Sequence, residues 1–200
     1  MVHAVRVRAD ARRNRDRILA AARDLVADAG VDATMEDIAR GAGVAVGTLY
    51  RHFPAKEDLL AAVVDDSVEQ LAALAEAGLA RVDAGAPPGP VVRELFRTVA
   101  ARYADDRALK AAAGRLGLGA DLGAHLAAEL AAAGPGSVVR RAMAALTALL
   151  ERSVAAGELR ADVTLDDVVM MLDGVPGREV PEAMRERYVD IVIAGLTART

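Results

Sequence analysis

Residues 34–53, TMEDIARGAGVAVGTLYRHF, contain the pattern that decides the fold. Thr34 followed three positions later by Asp37 is typical of a capped helix start, with Asp37 in place of the more usual glutamate. The glycine-rich residues 41–43 break this short helix, and a second short helix follows the turn. Pro54 ends that second helix, because the residue before a proline is pushed out of the α region. The stretch therefore predicts two short helices joined by a tight turn.

The residue types in this stretch suit two short helices that cross at a steep angle. Ala39 is small where the first helix crosses the second, and Gly43 can adopt the positive φ that a tight turn needs. The spacing of three apolar residues places them on the inner side, where they would hold the two helices together: Ile38, Val44 and Leu49. The outward positions of the second helix are small or hydroxylic: Ala45, Val46, Gly47, Thr48 and Tyr50. A helix-turn-helix places its second helix in the major groove of DNA, so the pattern predicts DNA binding.

The flanking sequence predicts more helices. Apolar residues at three- and four-residue steps indicate a first helix from about Ala9 to Ala29, which Gly30 ends. A long helix is predicted from about Ala55 to a linker at 85–90 that is rich in Gly and Pro. Further helical patterns lie at 91–104, 105–113, 121–133, 137–156, 165–173 and 180–197. Gly and Pro separate several of them at 114–123, 134–136, 157 and 174–177.

Composition agrees with an all-α fold and narrows the function classes. Hydrophobic residues make up 54% of the 200 residues but aromatic residues only 2%, so Ala, Leu and Val carry the core. There is no cysteine and the three histidines lie far apart, which argues against disulfides and a metal sensor. No apolar run approaches the roughly 20 residues that cross a bilayer. We expect a cytoplasmic protein that has no membrane partner and needs no cofactor.

The charge is distributed unevenly along the chain. The net charge is −4, yet residues 1–60 hold ten Lys and Arg against nine Asp and Glu. The cations concentrate near the N-terminus: Arg6, Arg8, Arg12, Arg13, Arg15 and Arg17. This asymmetry suits a basic arm that touches DNA on an otherwise acidic body. On charge alone, a solvated and disordered tail is an equal alternative.

The stretch from about residue 12 to residue 62, roughly a quarter of the chain, resembles the DNA-binding domain of the TetR family. The residues that carry the resemblance are Ile18, Ala21-Ala22, Gly30, Thr34, Ile38-Ala39, Ala42-Gly43-Val44, Gly47-Thr48-Leu49-Tyr50, His52-Phe53 and Lys56-Glu57-Asp58-Leu59-Leu60. The resemblance implies an all-α chain with two domains. Residues 1–54 would form the helix-turn-helix domain with its basic arm, and residues 55–200 a helical domain for ligand binding and dimerisation.

The resemblance also implies a set of DNA contacts. Thr34 would cap the helix that begins at Met35 and reach a phosphate. Arg15 would contact DNA from the basic arm. The other phosphate contacts would be Thr48, Tyr50, His52 and Lys56, and the bases would face Ala45, Val46 and Gly47. The family often has a serine or threonine near Ala45, so polar readout is thin here and DNA shape should share the specificity. Phe53 is expected to be a core residue. Alternatively, Tyr50 is a core residue as well and His52 is an ordinary surface residue.

The remaining residues contain no catalytic signature, so we expect no enzyme. Candidate ligand contacts in a mostly apolar pocket are Tyr103, Arg115, Asp121, His125, Met143, Thr147, Met170, Met171 and Asp173. Broad apolar stripes on the helices at 137–156 and 180–197 predict a homodimer interface with Val139, Met143, Leu146, Leu150, Met184, Tyr188 and Ile191. The alternative is that both stripes face the chain's own core.

Together these features predict a ligand-responsive regulator of double-stranded DNA. The favoured hypothesis is a repressor that a small apolar ligand releases from a palindromic operator. An activator or dual regulator remains an alternative within the same class. From a different class, the chain could be a helical small-molecule-binding protein with a vestigial DNA-binding domain.

Overall fold

The computed structural model describes residues 2–29, 33–115 and 137–198, with side chains for 10–26, 33–103 and 137–198. Every regular secondary-structure element in these ranges is an α-helix, which confirms the all-α prediction. The helices are α1 (Val2–Ala29), α2 (Met35–Ala42), α3 (Val46–His52), α4 (Lys56–Asp83), α5 (Pro88–Arg115), α6 (Val138–Ala155), α7 (Leu165–Asp173) and α8 (Glu182–Leu196). None of these described helices is long and apolar enough to cross a membrane.

Two helices are longer than the sequence pattern predicted. α1 begins at Val2 rather than near Ala9, so the segment described above as a basic arm continues the helix. α5 is one helix from Pro88 to Arg115, where two helices and a longer linker were predicted. Proline fits the first position of a helix, because the missing N–H has no intrahelical partner there. The predicted helix at 121–133 lies outside the described residues.

The described chain divides into two compact units, and the division falls inside α4. Residues up to Asp66 form the first unit together with the end of α5 from Asp105. Ser67–Ala104 and the helices from α6 onward form the second unit. Because α4 runs without a break from Lys56 to Asp83, it contributes its first turns to one unit and the rest to the other.

The first unit is built around side chains from all four of its N-terminal helices. Its fully buried members come from α1, α2, α3 and α4: Ile18, Ala22, Val26, Ile38, Ala39, Leu49, Leu59, Leu60 and Val63. Burying one Val, Leu or Ile side chain contributes about 1.5–3 kcal/mol. The inward directions predicted for Ile38 and Leu49 are confirmed, and Val44 packs against the same core partly buried. This core fixes α2 and α3 as a rigid pair.

The second unit has its core between α5, α6, α7 and α8. One cluster contains Val91, Val92, Leu149, Leu150, Leu159 and Leu196, and a second contains Phe96, Ala100, Tyr103, Val175 and Ile193. An antiparallel bridge between Leu159 and Thr197 holds the end of α8 beside the turn that follows α6. On the surface, Arg141 of α6 pairs with Glu69 and Glu76 of α4.

Candidate nucleic-acid interface

The start of α2 is capped as the sequence predicts. Thr34 is extended, and its hydroxyl accepts from the Asp37 N–H at 3.1 Å and donates to Asp37 Oδ2 at 2.7 Å. Arg40 donates to Asp37 Oδ1 at 2.8 Å. The hydrogen bond from Thr34, and then the charge and hydrogen bond of Arg40, hold the pKa of Asp37 below its ordinary 3.8. The cap fixes Thr34, an exposed side chain, at the rim of the first unit.

The turn between α2 and α3 depends on Gly43. Its φ is 60° and its ψ is 40°, a left-handed backbone conformation that residues other than glycine rarely adopt. A Cβ at this position would also lie 2.5 Å from Nη2 of Arg17. Arg17 donates from that nitrogen to the Gly43 carbonyl at 3.2 Å. The positive φ predicted for Gly43 is therefore confirmed.

Helix α3 is anchored on one side and open on the other. Leu49 is its one buried residue, whereas Val46 is 37% and Tyr50 42% exposed. Ala45 and Gly47 are exposed as well, and a Cβ added to Gly47 would meet no atom of the described residues within 4 Å beyond its own helix's backbone. Thr48 and His52 are half-buried. The N-terminal half of α3 thus presents small side chains and accessible backbone, as a helix that enters a groove needs.

Tyr50 in α3 and the residues Phe53 and Lys56 just beyond it lie in different surroundings. Phe53 is buried, which confirms its prediction as a core residue, while Tyr50 lies on the surface. Lys56, in the first turn of α4, donates from Nζ to the carbonyl of Ala33 at 2.5 Å. This contact places the ammonium beside the residue that precedes Thr34. The start of α4 is thereby held next to the chain segment that contains the Thr34 cap, so two candidate phosphate contacts lie near each other in the first unit.

The sequence did not predict the contacts that three arginines of α1 make with distant residues. The Arg15 guanidinium carbon lies 5.7 Å from the centroid of the Phe53 ring, and Arg23 pairs with Asp66 of α4 at 2.8 Å. Arg17 was counted only as part of the basic arm. No local pattern reveals such contacts, because their partners lie 26 to 43 residues away along the chain.

The candidate ligand contacts are only partly brought together. Tyr103 is buried and donates its hydroxyl proton to Asp173, while Met171 packs against the same cluster. Met143 belongs to a different cluster with Val68 and Val139. Thr147 and Met170 are exposed in the protomer. The side chain of Arg115 and the residues Asp121 and His125 lie outside the described part.

The candidate dimer residues divide into buried and exposed groups. Val139 and Leu150 are buried in the core of the second unit, which leaves little of their surface for a second copy. Met143, Leu146 and Tyr188 are half-buried. Met184 and Ile191 of α8 are each 61% exposed and lie on one face of the helix, seven residues apart.

Among the described residues, no group of three or more His, Cys, Asp or Glu side chains could hold a metal ion.

Comparisons with known proteins point to one group of regulators. Residues 18–63 match a family model described as bacterial regulatory proteins of the tetR family. The chain is 34% identical to a TetR transcription regulatory protein from Mycobacterium vanbaalenii, with 96% of this chain and 99% of that chain covered and a TM-score of 0.70. A TetR transcriptional regulator from Streptomyces coelicolor is 31% identical over 93% of this chain and 99% of that chain, with a TM-score of 0.65.

A third similarity is confined to part of the chain. An HTH-type transcriptional regulator from Staphylococcus aureus (strain MRSA252) is 45% identical over 67 residues. The matched residues make up 32% of this chain and 35% of that protein, so the chain spans about a third of the length of this curated relative.

Proposed function

The chain belongs to the TetR family of bacterial transcription regulators, and on that premise we propose that it is a repressor released from a palindromic operator by a small apolar ligand. Members of this family are DNA-binding regulators rather than enzymes. The finer role rests on the geometry of the first unit and on the size and chemistry of the second. Its place of action would be the cytoplasm, where a bacterial chromosome lies.

The open face of α3 is the observation that carries the DNA-reading role. Leu49 fixes the helix to the core, while Ala45, Val46 and Gly47 are exposed at its N-terminal end. Methyl groups can contact the C5-methyl of thymine, and the bare backbone at Gly47 allows close approach to a base edge. With few polar side chains at these positions, sequence-dependent DNA shape would supply much of the remaining specificity.

Phosphate contacts would flank this reading surface. Lys56 contacts the carbonyl of Ala33, the residue before Thr34, and Thr48, Tyr50 and His52 belong to α3 itself. Lys56→Ala should weaken binding to all duplexes alike and reduce the salt slope by about one unit, since one phosphate contact is lost. Arg81→Gln, an exposed cation of the second unit, is the control and should leave the slope unchanged. An unchanged slope for Lys56→Ala would remove this lysine from the interface.

Repression can be tested in cells. Recovery of DNA bound to the protein across the genome should enrich one or a few palindromes, with half-site centres about 34 Å or a multiple of that apart. Transcripts adjacent to those sites should rise when the gene for this protein is deleted. A fall in the same transcripts would make the protein an activator, and enrichment of no palindrome would contradict operator binding.

The ligand would bind in the second unit. Tyr103 and Asp173 supply a polar pair beside the apolar side chains of Phe96, Val175 and Ile193, which is the usual mixture in small-molecule sites. A compound found by thermal-shift screening should bind more weakly when operator DNA is present. By reciprocity the two affinities change by the same factor, about 5–150-fold for a coupling of 1–3 kcal/mol. A compound whose affinity is the same with and without operator is not the inducer.

A homodimer would supply the second recognition helix that a palindrome requires. Its proposed seam lies on the outer faces of α6 and α8. Met184 and Ile191 are large apolar side chains with most of their surface exposed in the single chain. Scattered exposed apolar residues are common, but two on one face of a helix beside half-buried Tyr188 form a patch that a second copy could cover.

A further inference from the structure

Two arginines of α1 contact the two ends of the recognition helix α3. Arg17 donates to the carbonyl of Gly43, in the turn that leads into α3. Arg15 lies over the ring of Phe53, the residue that caps the end of α3. Both side chains come from one continuous helix and are separated by one residue. α1 therefore contacts both the turn that precedes α3 and the residue that follows it.

Helix α3 depends on such outside contacts for its orientation. It has only seven residues, and an isolated helix of that length is not stable in water. Its N-cap is Ala45, which makes no side-chain capping hydrogen bond, and Leu49 is its one buried residue. One buried side chain within a short helix fixes its position better than its tilt, so the tilt depends on the residues that flank the helix, among them Val44 and Phe53 on the same core. Contacts at both ends are the arrangement that fixes the tilt.

We propose that Arg15 and Arg17 are positioning residues that set the angle of α3 for the DNA groove. This role differs from the phosphate contact that a basic arm implies for Arg15, and it rests on the proposed operator binding. A guanidinium suits both contacts: it donates to a carbonyl through a fixed fork, and it is attracted to the face of an aromatic ring. Arg13, two residues before Arg15, instead pairs with Asp10 within α1.

The test compares sequence-specific with non-specific binding. Duplexes enriched by the wild-type protein from a random pool, and scrambled duplexes of equal length, are titrated at several salt concentrations. Arg15→Gln and Arg17→Gln should each weaken binding to the enriched duplex about two- to tenfold, the factor expected for one exposed cation–π contact or one hydrogen bond. Binding to the scrambled duplex and both salt slopes should stay unchanged. Arg15→Lys should keep most of the specificity, because its ammonium can also lie over Phe53.

Arg13→Gln is the matched control, since it removes another exposed cation of α1 that pairs within α1 and not with the residues flanking α3. It should leave the ratio of specific to non-specific affinity at its wild-type value. If Arg15→Gln and Arg17→Gln also leave that ratio unchanged and lower the salt slope by about one unit, they are phosphate contacts and the proposal is overturned.

A measurement without DNA separates this inference from the proposed function. In both glutamine variants the backbone amides from Leu49 to Phe53 should exchange with solvent faster than in the wild type, while the amides of α6 keep their rates. Unchanged exchange in α3 overturns the positioning role even if operator binding is found. If the wild-type protein enriches no duplex, operator binding fails, and faster exchange in α3 would still support the arginine contacts as determinants of its orientation.

Discussion

Gly43 and Gly47 lie four residues apart, and the reasons for a glycine at the two positions differ. Gly43 has a φ of 60°, and Arg17 occupies the space in which a side chain would begin. Gly47 is helical, and apart from its own helix's backbone no atom of the described residues lies within 4 Å of the Cβ that it lacks. The fold therefore requires glycine at position 43 but not at position 47. The proposed reason for Gly47 lies outside the chain, in the close approach of DNA.

Substitution by alanine should separate these two glycines. Gly47→Ala should raise the free energy of unfolding by about 0.5–1 kcal/mol, because alanine loses less backbone entropy in a helix. Gly43→Ala should lower it by about 1–2 kcal/mol, the cost of a left-handed residue with a Cβ, and more if Arg17 is displaced. Urea unfolding of both variants measures the difference. A destabilised Gly47→Ala would mean that the fold itself needs this glycine.

The hydroxyl of Thr34 should control the acidity of Asp37. Because hydrogen bonds hold the folded pKa of Asp37 below 3.8, the stability they contribute is present above about pH 4 and is lost as pH falls through the folded pKa. Thr34→Val should move this pKa back toward 3.8, as followed by carbon NMR of the carboxyl group. Asp167, held by Thr164 in the same way at the start of α7, is the internal control and should not move. An unchanged Asp37 in Thr34→Val would assign the shift to Arg40.

Side-chain roles were predictable from sequence where the partner is close along the chain. The Thr34 cap, the turn at Gly43 and the burial of Phe53 follow from patterns a few residues long. The contact of Lys56 with Ala33 joins helices that only the folded core brings together. Local spacing contains no information on that contact.

At the scale of the helix, the absence of Gly and Pro was a better guide than a change in polarity. Residues 1–29 contain neither, and α1 accordingly runs back to Val2. Residues 91–113 contain neither as well, and α5 continues through the point at which two helices were predicted to separate. Backbone hydrogen bonds continue through a polar stretch unless a residue interrupts them. Periodicity placed α4, α6, α7 and α8 within about two residues of their observed ends.

The start of α5 relies on a carboxylate from a distant part of the chain. Two of its first three residues, Pro88 and Pro90, have no N–H, and Gly89 between them donates to Glu158 Oε2 at 2.6 Å. Glu158→Ala should lower the free energy of unfolding by about 1–2 kcal/mol, because it removes a charge-assisted cap at a helix N-terminus. Glu151→Ala, at an exposed position of α6, should change it by less than about 0.5 kcal/mol. Equal effects in thermal or urea unfolding would deny Glu158 this role.

For the whole molecule, the proposed homodimer predicts which exposed apolar residues can be replaced by glutamate without loss of dimerisation. Met184→Glu or Ile191→Glu would bury an unpaired carboxylate in the seam, at a cost of several kcal/mol, so each variant should sediment as a monomer or aggregate. Met170→Glu is the control, because Met170 is 64% exposed on α7, outside the proposed seam. This variant should sediment like the wild type. Unchanged sedimentation of both α8 variants would remove α8 from the interface.

The functional features of the first unit could be predicted from the sequence, whereas those of the second unit could not. The helix-turn-helix of the first unit follows from the short motif at 34–53, since the Thr34 cap and the turn at Gly43 have local structural reasons. In the second unit, the hydrogen bond from buried Tyr103 to Asp173 and the exposed face of α8 depend on how distant helices pack. Apolar periodicity predicts that a residue is buried or lies on a stripe. It does not distinguish the chain's own core from a ligand or a second copy.

The most direct test of DNA reading by α3 is selection from a pool of random duplexes, carried out in parallel with the wild type and with Gly47→Leu. The wild type should enrich a palindrome whose half-site centres lie about 34 Å or a multiple apart. Gly47→Leu should keep the wild-type unfolding free energy to within about 1 kcal/mol, because position 47 is exposed and a Cβ there is not crowded, yet enrich no such sequence. If the variant enriches the same palindrome with the same affinity, the exposed face of α3 is not the surface that reads DNA.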